Sequence, residues 1–324
     1  GILAALFLSV TVIHVQMSHF FTPDVTLVFF LMAVMYFSAG LMKTGSPKEY
    51  LLAGVMAGVG MASKYWAPAI LPILTAHIIR LIGLKRFSWA ENKKIILSLI
   101  LAGMAFFIFS PYVILDAGTA VPKILWWARK TTGVIPQIWA YHFEGTTPWL
   151  FLVTENIPWG LGLPLALLSG GGFIFILIRR RREDILVAVW IIVNFALIGS
   201  WYIKSIRYIL PLVPFLLLAA SVAIVATFRQ RMFRVVGIAA AIAAFAWSGI
   251  FSLAFIRIYG VPHSKTLASE WIYKKIPPGS RISGNHPVPL GPRNNLPDLF
   301  VEKEIDFTYL FEGDLPAAEK ERYL

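Results

Sequence analysis

Two cations and a tyrosine stand between two long apolar stretches, in the segment Lys204–Pro214. Lys204, Arg207 and Tyr208 precede two prolines in this segment. An arginine or lysine held at the edge of a membrane can bind a phosphate whose lipid tail remains in the bilayer. Alternatively, both cations extend to lipid headgroups, and the spacing alone leaves the two interpretations open.

Further polar residues fall on the same side if the apolar runs alternate across a membrane. Asp24 opens one run after a Thr-Pro pair, which predicts a helix start with Thr22 as N-cap. Lys64 interrupts another run, and a charge part-way into a bilayer needs a partner. His142 and Glu144 follow in a loop. Carboxylates beside cations suit a reaction that needs a base and releases an anion.

Each of these residues also has an ordinary structural explanation. The helix macrodipole alone favours Asp24 at a helix start, and Glu144 is compatible with a simple loop acid. His19 and His142 lack the spacing of a zinc motif. The sequence contains no phosphate-binding loop, dinucleotide turn or nucleophile elbow. It therefore predicts no cofactor, and a divalent metal would be compatible with it but is supported by no motif.

The composition indicates a polytopic membrane protein. Of the 324 residues, 58% are hydrophobic and 14% are charged, and the mean hydropathy is +0.72, a balance foreign to soluble domains of this size. The net charge of +12 comes largely from short loops between apolar runs, so it reflects topology and indicates no nucleic-acid partner. The absence of Cys excludes disulfides and thiol catalysis within this sequence.

The apolar runs predict about nine membrane spans. Alternation places fourteen cations in the loops of one side and six in those of the other. The cation-rich side is cytoplasmic by the positive-inside rule, so loop 116–149 lies outside. The predicted spans are Gly1–Gln16, Val25–Met42, Leu51–Ser63, Ala67–Ile82, Ile95–Leu115, Trp159–Ile178, Ile185–Ser200, Ile209–Thr227 and Val235–Ile256.

Two regions follow from the change in composition near residue 257. Residues 1–257 are predicted to form an all-α transmembrane module, whose outer loop carries an interfacial helix around Val121–Thr131. Residues 258–324 are predicted to begin a soluble outer α/β domain, with a helix over Ser264–Ile276 and a strand over Arg281–Ser283. The apolar opening and the abrupt end lead us to expect a fragment of a longer protein.

Several segments resemble the lipid-carrier-dependent glycosyltransferases of the GT-C fold. This group contains the protein O-mannosyltransferases and the aminoarabinose transferases (glycosyltransferase family 39 and its relatives). The similar segments are distributed over nearly the whole chain, and one has the group's Arg-Tyr-x-x-Pro-x-x-Pro pattern. They are His19–Asp24, Leu52–Tyr65, Ser110–Asp116, Glu144–Trp149, Trp159–Pro164, Arg207–Pro214 and Trp271–Ser280.

The resemblance implies an enzyme of the plasma (inner) membrane with its active site on the extracytoplasmic face. The enzyme would transfer a sugar, with inversion, from a polyprenyl (dolichyl or undecaprenyl) phosphate to a hydroxyl of a protein, lipid or glycan. The family's principal acid would lie before Gly1, so Asp24 would represent a second acidic motif that positions acceptor or sugar. The implied phosphate-binding residues are Arg207, Lys204, Lys64 and Tyr208, and the implied catalytic residues are Asp24, Glu144 and His142.

Two other classes of protein remain compatible with the sequence. A transporter or flippase for a lipid-linked sugar would also need outer cations and interrupted helices, although the two halves show no inverted repeat. A non-catalytic subunit of a glycan assembly complex is the second alternative. An acidic pair in the first outer loop of the whole protein would distinguish an enzyme from both.

Overall fold

The computed structural model describes residues 1–20, 22–85, 89–135, 138–284 and 301–304. Within these residues the chain forms a bundle of α-helices around one large apolar core and a small second cluster. The all-α polytopic architecture predicted from the sequence is therefore confirmed.

In the first part of the chain, helices that follow one another in the sequence are not always neighbours in space. The helix over Pro47–Ser63 lies against those over Asp24–Thr44 and Trp89–Phe109, and a 3₁₀ turn over Ala67–Ile70 leads directly into the helix over Leu71–Leu84. The bounds are α1 (Ile2–Val10), α2 (Val12–His19), α3 (Asp24–Thr44), α4 (Pro47–Ser63), α5 (Leu71–Leu84) and α6 (Trp89–Phe109).

Loop 116–149, which is predicted to lie outside, is largely helical in its described residues. A short helix, α7 (Tyr112–Leu115), precedes α8 (Ala117–Thr131), which has no buried residue and contains the predicted interfacial helix. A 3₁₀ helix over Ile138–Phe143 and a π-helix over Leu152–Asn156 complete the loop and its return to the bundle. Single-turn π-helices are uncommon and often lie at functional sites.

The second half of the bundle follows and ends in a short αβ region. The predicted helix over Ser264–Ile276 and the predicted strand over Arg281–Ser283 are both present, and the strand pairs in parallel with a second one. The bounds are α9 (Ile157–Leu161), α10 (Leu163–Arg179), α11 (Arg182–Gly199), α12 (Val213–Phe228), α13 (Arg231–Ile256), α14 (Ser264–Lys275), β1 (Arg281–Gly284) and β2 (Val301–Glu304).

The structure has helices at all nine predicted spans, but fewer than nine of the described helices have the length and composition of a membrane span. Each of the nine predicted spans coincides with helical structure, yet four of the described helices are long and apolar enough to cross a bilayer, or six if each bent pair is one span. Helices α4 and α12 are only 17 and 16 residues long, and α11 begins with three charged residues. Nine crossings therefore stay a prediction.

Several predicted spans are interrupted in the structure. The span over Ile95–Leu115 breaks at Pro111, and that over Ile209–Thr227 begins as helix only at Val213, because proline removes a backbone donor. The chain also bends by 119° at Gly162, whose φ of 83° suits glycine. A further bend of 62° lies between α1 and α2, where the hydroxyl of Ser252 donates to the free carbonyl of Val10.

The bundle has two chemically distinct ends. The Asp24 end carries the start of α3, the end of α4 and the end of α11. The Arg182 end carries the opposite helix termini, where Lys43 pairs with Glu183 at 2.9 Å and Arg80 pairs with Glu91 at 3.0 Å. The ion pairs of the Arg182 end thus lie among the loops that the positive-inside rule assigns to the cytoplasm.

Glycines allow α4 to approach α6 closely. A Cβ atom on Gly58 would collide with the carbonyl oxygen of Ala102 and the Cβ of Ala105, whereas Gly103 faces open space. We expect Gly58→Val to lower the free energy of unfolding by about 1–3 kcal/mol through overpacking. Gly103→Val is the matched control and should leave the melting temperature in detergent nearly unchanged. Equal effects of the two substitutions would contradict this packing.

The two ends of the bundle also give a direct test of orientation. We expect a cysteine at Thr119 in α8 to react with an impermeant thiol reagent in intact cells, and one at Arg181 to react only after permeabilisation. Both positions are exposed, and the sequence has no native Cys that would give background labelling. Labelling of position 181 but not 119 in intact cells would reverse the orientation.

Candidate functional site

An ion pair joins the start of α3 to the end of α4. Asp24 is the first residue of α3 and is only 2% exposed. Lys64 is the C-cap of the antiparallel α4, and its Nζ donates to Oδ1 of Asp24. Lys64 thus has the partner that its place in the sequence required. The second carboxylate oxygen of Asp24, Oδ2, is buried and accepts no hydrogen bond from the described residues.

Arg207 and Tyr208 complete this cluster. Both lie in a 3₁₀ turn over Ile206–Ile209 that precedes α12. Nζ of Lys64 is 5.4 Å from the centre of the Tyr208 ring, and Cζ of Arg207 is 5.6 Å from it. Both distances are typical of cation–π contacts. Two positive charges therefore lie near one ring, and an anion bound close to both would be stabilised.

The guanidinium of Arg207 is the accessible part of the cluster. The residue is exposed, and among the described residues no carboxylate lies within ion-pair distance of it. A planar guanidinium can donate two parallel hydrogen bonds to one phosphate. The cluster therefore presents a free fork of donors beside a buried carboxylate.

Trp201, which is half-buried, and Trp66, which is buried, extend the cluster into the bundle. The ring of Trp201 packs edge-on against Tyr208 at 5.3 Å and against Trp66 at 5.7 Å. Nε1 of Trp66 donates to Oδ1 of Asn194 over 3.2 Å, and Asn194 donates in turn to the carbonyl of Trp190. The hydrogen bond to Asn194 fixes the Trp66 ring, and the contact of Trp66 with Trp201 limits the positions open to Tyr208.

The connection between α2 and α3 differs from the predicted helix start. The N-cap of α3 is Pro23, and Thr22 does not cap the helix. Within the described part of the chain, Oγ1 of Thr22 and Nδ1 of His14 are buried without a hydrogen-bond partner, as is Oδ2 of Asp24. Buried polar atoms are rarely left unpaired, so unpaired atoms of this kind are candidates to bind a ligand or water.

Lys204 lies in a different environment from Arg207. It is 3% exposed, its Nζ donates to the carbonyl of Tyr202 over 3.3 Å, and its own carbonyl accepts from Asn156 of the π-helix. Burial lowers the pKa of the Lys204 ammonium. No hydrogen bond or ion pair among the described residues joins it to Asp24 or Arg207. A phosphate contact of Lys204 stays a prediction that requires this side chain to turn.

Loop 116–149 packs beside Tyr208 through the side chain of Phe143. Phe143 is buried against Ile203, Phe151 and Tyr208 in the second apolar cluster. The His142 ring contacts Phe143, with ring centres 3.9 Å apart and ring planes tilted by 46°, and Glu144 is exposed. No contact among the described residues joins either side chain to Asp24. The loop is thus held near the cluster, and catalytic roles for His142 and Glu144 stay predictions.

Trp149 fixes the other end of the loop in a strained conformation. Its φ is 59°, which is unusual for a bulky residue. Its backbone N–H donates to the carbonyl of Gly199, and its indole N–H donates to that of Ala196. The end of the loop is therefore tied to the end of α11, close to the start of the segment that carries Arg207.

The described residues contain no group of three or more His, Asp, Glu or Cys side chains that could hold a metal ion.

His19 bonds through Nδ1 to the carbonyl of Val15 and stacks on Tyr259 with ring centres 5.1 Å apart. The contact links the end of α2 to the 3₁₀ turn that follows α13. His19 therefore connects α2 to the segment that leads into the C-terminal region.

Sequence reasoning missed the polar residues that support the cluster. Asn194 is a lone amide in the apolar run of α11, and His14 is a lone imidazole in the first one. Isolated polar residues in membrane spans commonly face the bundle interior and a partner. That pattern was the available signal. Asn156 was signalled less clearly, because it follows a glutamate in a short polar break.

The arrangement can bind a phosphate monoester or diester at the mouth of the bundle and a hydroxyl beside it. The free donors of Arg207 suit the phosphate, and Oδ2 of Asp24 can accept a hydrogen bond from a hydroxyl. The apolar surface below the site would accommodate a lipid chain. A role for this arrangement in binding a membrane-embedded lipid phosphate stays a prediction.

Comparison with known proteins supports a glycosyltransferase that uses a lipid-phosphate sugar. Residues 1–115, of 324, match the family model described as dolichyl-phosphate-mannose-protein mannosyltransferase. The match confirms the predicted resemblance to GT-C glycosyltransferases and, in general terms, supports transfer of a sugar from a lipid phosphate. It covers Asp24 and Lys64 and ends before Arg207. No curated protein matches the chain.

Proposed function

We propose that the protein transfers a sugar from a polyprenyl-phosphate donor to an acceptor hydroxyl at the extracytoplasmic face of the plasma membrane. The observation that carries this proposal is the cluster of Asp24, Lys64, Tyr208 and Arg207. It combines a buried carboxylate oxygen without a partner with an exposed guanidinium without a carboxylate, among the described residues.

Arg207 binds the donor phosphate in this proposal, and Lys64 adds positive charge across the Tyr208 ring. The acceptor oxygen attacks the anomeric carbon from the side opposite the phosphate, and the bond between that carbon and the phosphate oxygen breaks. The electron pair leaves with the lipid phosphate, whose charge rises as the bond breaks. Donors placed at that oxygen therefore stabilise the transition state more than the ground state.

Asp24 positions a hydroxyl of the sugar or the acceptor through Oδ2. Its other oxygen is already bonded to Lys64, so the carboxylate has a fixed direction before substrate arrives. Preorganisation of this kind lowers the entropic cost of bringing the reactants together. The proton of the acceptor passes to a carboxylate that serves as base, and inversion follows from a single displacement.

A reconstitution experiment tests this function against its alternatives. The whole protein is placed in liposomes with synthetic polyprenyl-phosphate mannose and cell-envelope material as the source of acceptor. A transferase releases free polyprenyl phosphate and labels the acceptor. A flippase instead moves the intact donor between leaflets, and a non-catalytic subunit leaves it unchanged. Intact donor after incubation, with or without translocation, would contradict the proposal.

A further inference from the structure

A groove lies at the surface of the bundle between α5 and α11, on the side of the Arg182 end. Its volume is about 700 Å³, and its walls are largely aliphatic. Two cations, Lys85 and Arg182, stand at one end of it. The aliphatic walls include Leu71, Leu74, Ile78 and Ile82 of α5 and Ile185 and Val189 of α11.

The two acids that follow Arg182 in the sequence are paired with other cations. Glu183 pairs with Lys43 at 2.9 Å, and Asp184 accepts from Nε of Arg179 at 2.8 Å. Among the described residues, neither Lys85 nor Arg182 has a carboxylate within ion-pair distance. The apolar groove thus ends at two exposed positive charges that have no counter-ion within the described part of the chain.

The two cations lie at the end of a helix that is long enough to cross a bilayer. From Leu71 to Lys85, helix α5 rises by about 21 Å at ~1.5 Å per residue. Together with the turn that precedes it, the helix over Ala67–Leu84 has the length and apolar character of a membrane span. Lys85 follows directly after it and therefore lies at headgroup level at the Arg182 end.

We propose that this groove binds one anionic phospholipid of the leaflet at the Arg182 end. Its acyl chains lie along α5 and α11, and its phosphate lies between Lys85 and Arg182. Charge complementarity favours an anionic headgroup, because a zwitterionic lipid brings no net charge to balance two cations. An apolar partner helix would cover the cations without neutralising them. The site is separate from Asp24 and its neighbours.

The chain contains a closely matched control for the cation at Lys85. Lys85 and Arg180 are both helix C-caps in the left-handed conformation, with φ of 51° and 53°. Asparagine tolerates this conformation, so Lys85→Asn and Arg180→Asn each remove one charge with the same backbone demand. Arg180 does not line the groove, and its Nε donates to the carbonyl of Leu177 over 3.1 Å.

The test measures lipids retained by the purified whole protein in native mass spectrometry, with phosphatidylglycerol or phosphatidylcholine in the micelles. We expect selective retention of phosphatidylglycerol, with an affinity about fivefold lower for Lys85→Asn and for Arg182→Gln. Arg180→Asn should match the unchanged protein. The melting temperature of each variant shows whether it folds. If a variant does not fold, loss of phosphatidylglycerol from the unchanged protein at high salt provides the same test.

A photoreactive side chain at Ile78, which is 55% exposed on the groove wall, identifies the occupant directly. In vesicles containing phosphatidylglycerol we expect it to cross-link to that lipid. Cross-linking to another polypeptide, equal retention of both lipids, or an equal loss in Arg180→Asn and Lys85→Asn would overturn the proposal.

Discussion

Arg207→Lys is expected to lower the rate of sugar transfer by about a hundredfold, close to the loss expected for Arg207→Ala. Arginine offers two parallel donors to a phosphate, and the ammonium of lysine acts as a point charge that cannot reproduce this geometry. The measurement is transfer from synthetic polyprenyl-phosphate mannose by the whole protein at matched expression. The effect should appear in kcat, because the phosphate charge grows as the bond breaks.

A second arginine provides the control for this experiment. Arg257 is exposed in the 3₁₀ turn after α13, without a carboxylate partner among the described residues. Arg257→Lys should retain full activity. If Arg207 only extends to lipid headgroups, lysine replaces it freely and both variants behave alike. Near-normal activity of Arg207→Lys would end the role assigned to its guanidinium.

Asp24→Asn is expected to reduce transfer by about a hundredfold and to destabilise the protein as well. The amide cannot neutralise Lys64, whose ammonium then lies partly buried without a counter-charge. We expect a loss of about 1–3 kcal/mol in the free energy of unfolding, more than the helix macrodipole alone would give. Activity and the melting temperature in detergent are measured on the same preparations.

A double variant separates the two effects of Asp24→Asn. Asp24→Asn combined with Lys64→Met removes both charges, so the melting temperature should return towards that of the unchanged protein. Transfer should remain low, because neither the carboxylate nor the second cation is present. Recovery of transfer along with stability would mean that Asp24 serves only to neutralise Lys64.

The grouping of the main site residues could be predicted from the sequence. Alternating apolar runs placed Asp24, Lys64 and Arg207 on one side of the membrane, and the bundle brings them to one end around Tyr208. Helix periodicity and charge asymmetry are properties of the chain itself, so they transfer well to the fold. The need of Lys64 for a partner followed from the cost of a lone charge near the bilayer.

Side-chain direction could not be predicted in the same way. Lys204 and Arg207 are three residues apart in a segment without regular periodicity, and one is buried while the other is exposed. Their directions depend on tertiary contacts such as the bond from Asn156 to the Lys204 carbonyl. At the bend between α1 and α2, the partner of the Val10 carbonyl could not be predicted either, because Ser252 is distant in the sequence.

The polar atoms that lack a partner at the site could not be predicted from the sequence either. Thr22 in a Thr-Pro pair is typical of a helix cap, yet Pro23 takes that position and the hydroxyl remains without a partner among the described residues. Whether a polar atom is satisfied depends on every neighbour in space, and a sequence pattern gives only those along the chain.

The structure of the whole protein with bound polyprenyl phosphate tests the central claim most directly. We predict that two phosphate oxygens lie about 2.7–2.9 Å from the guanidinium of Arg207, next to the Tyr208 ring and on the side facing Lys64. A phosphate bound elsewhere, with Arg207 turned to the lipid headgroups, would contradict the account.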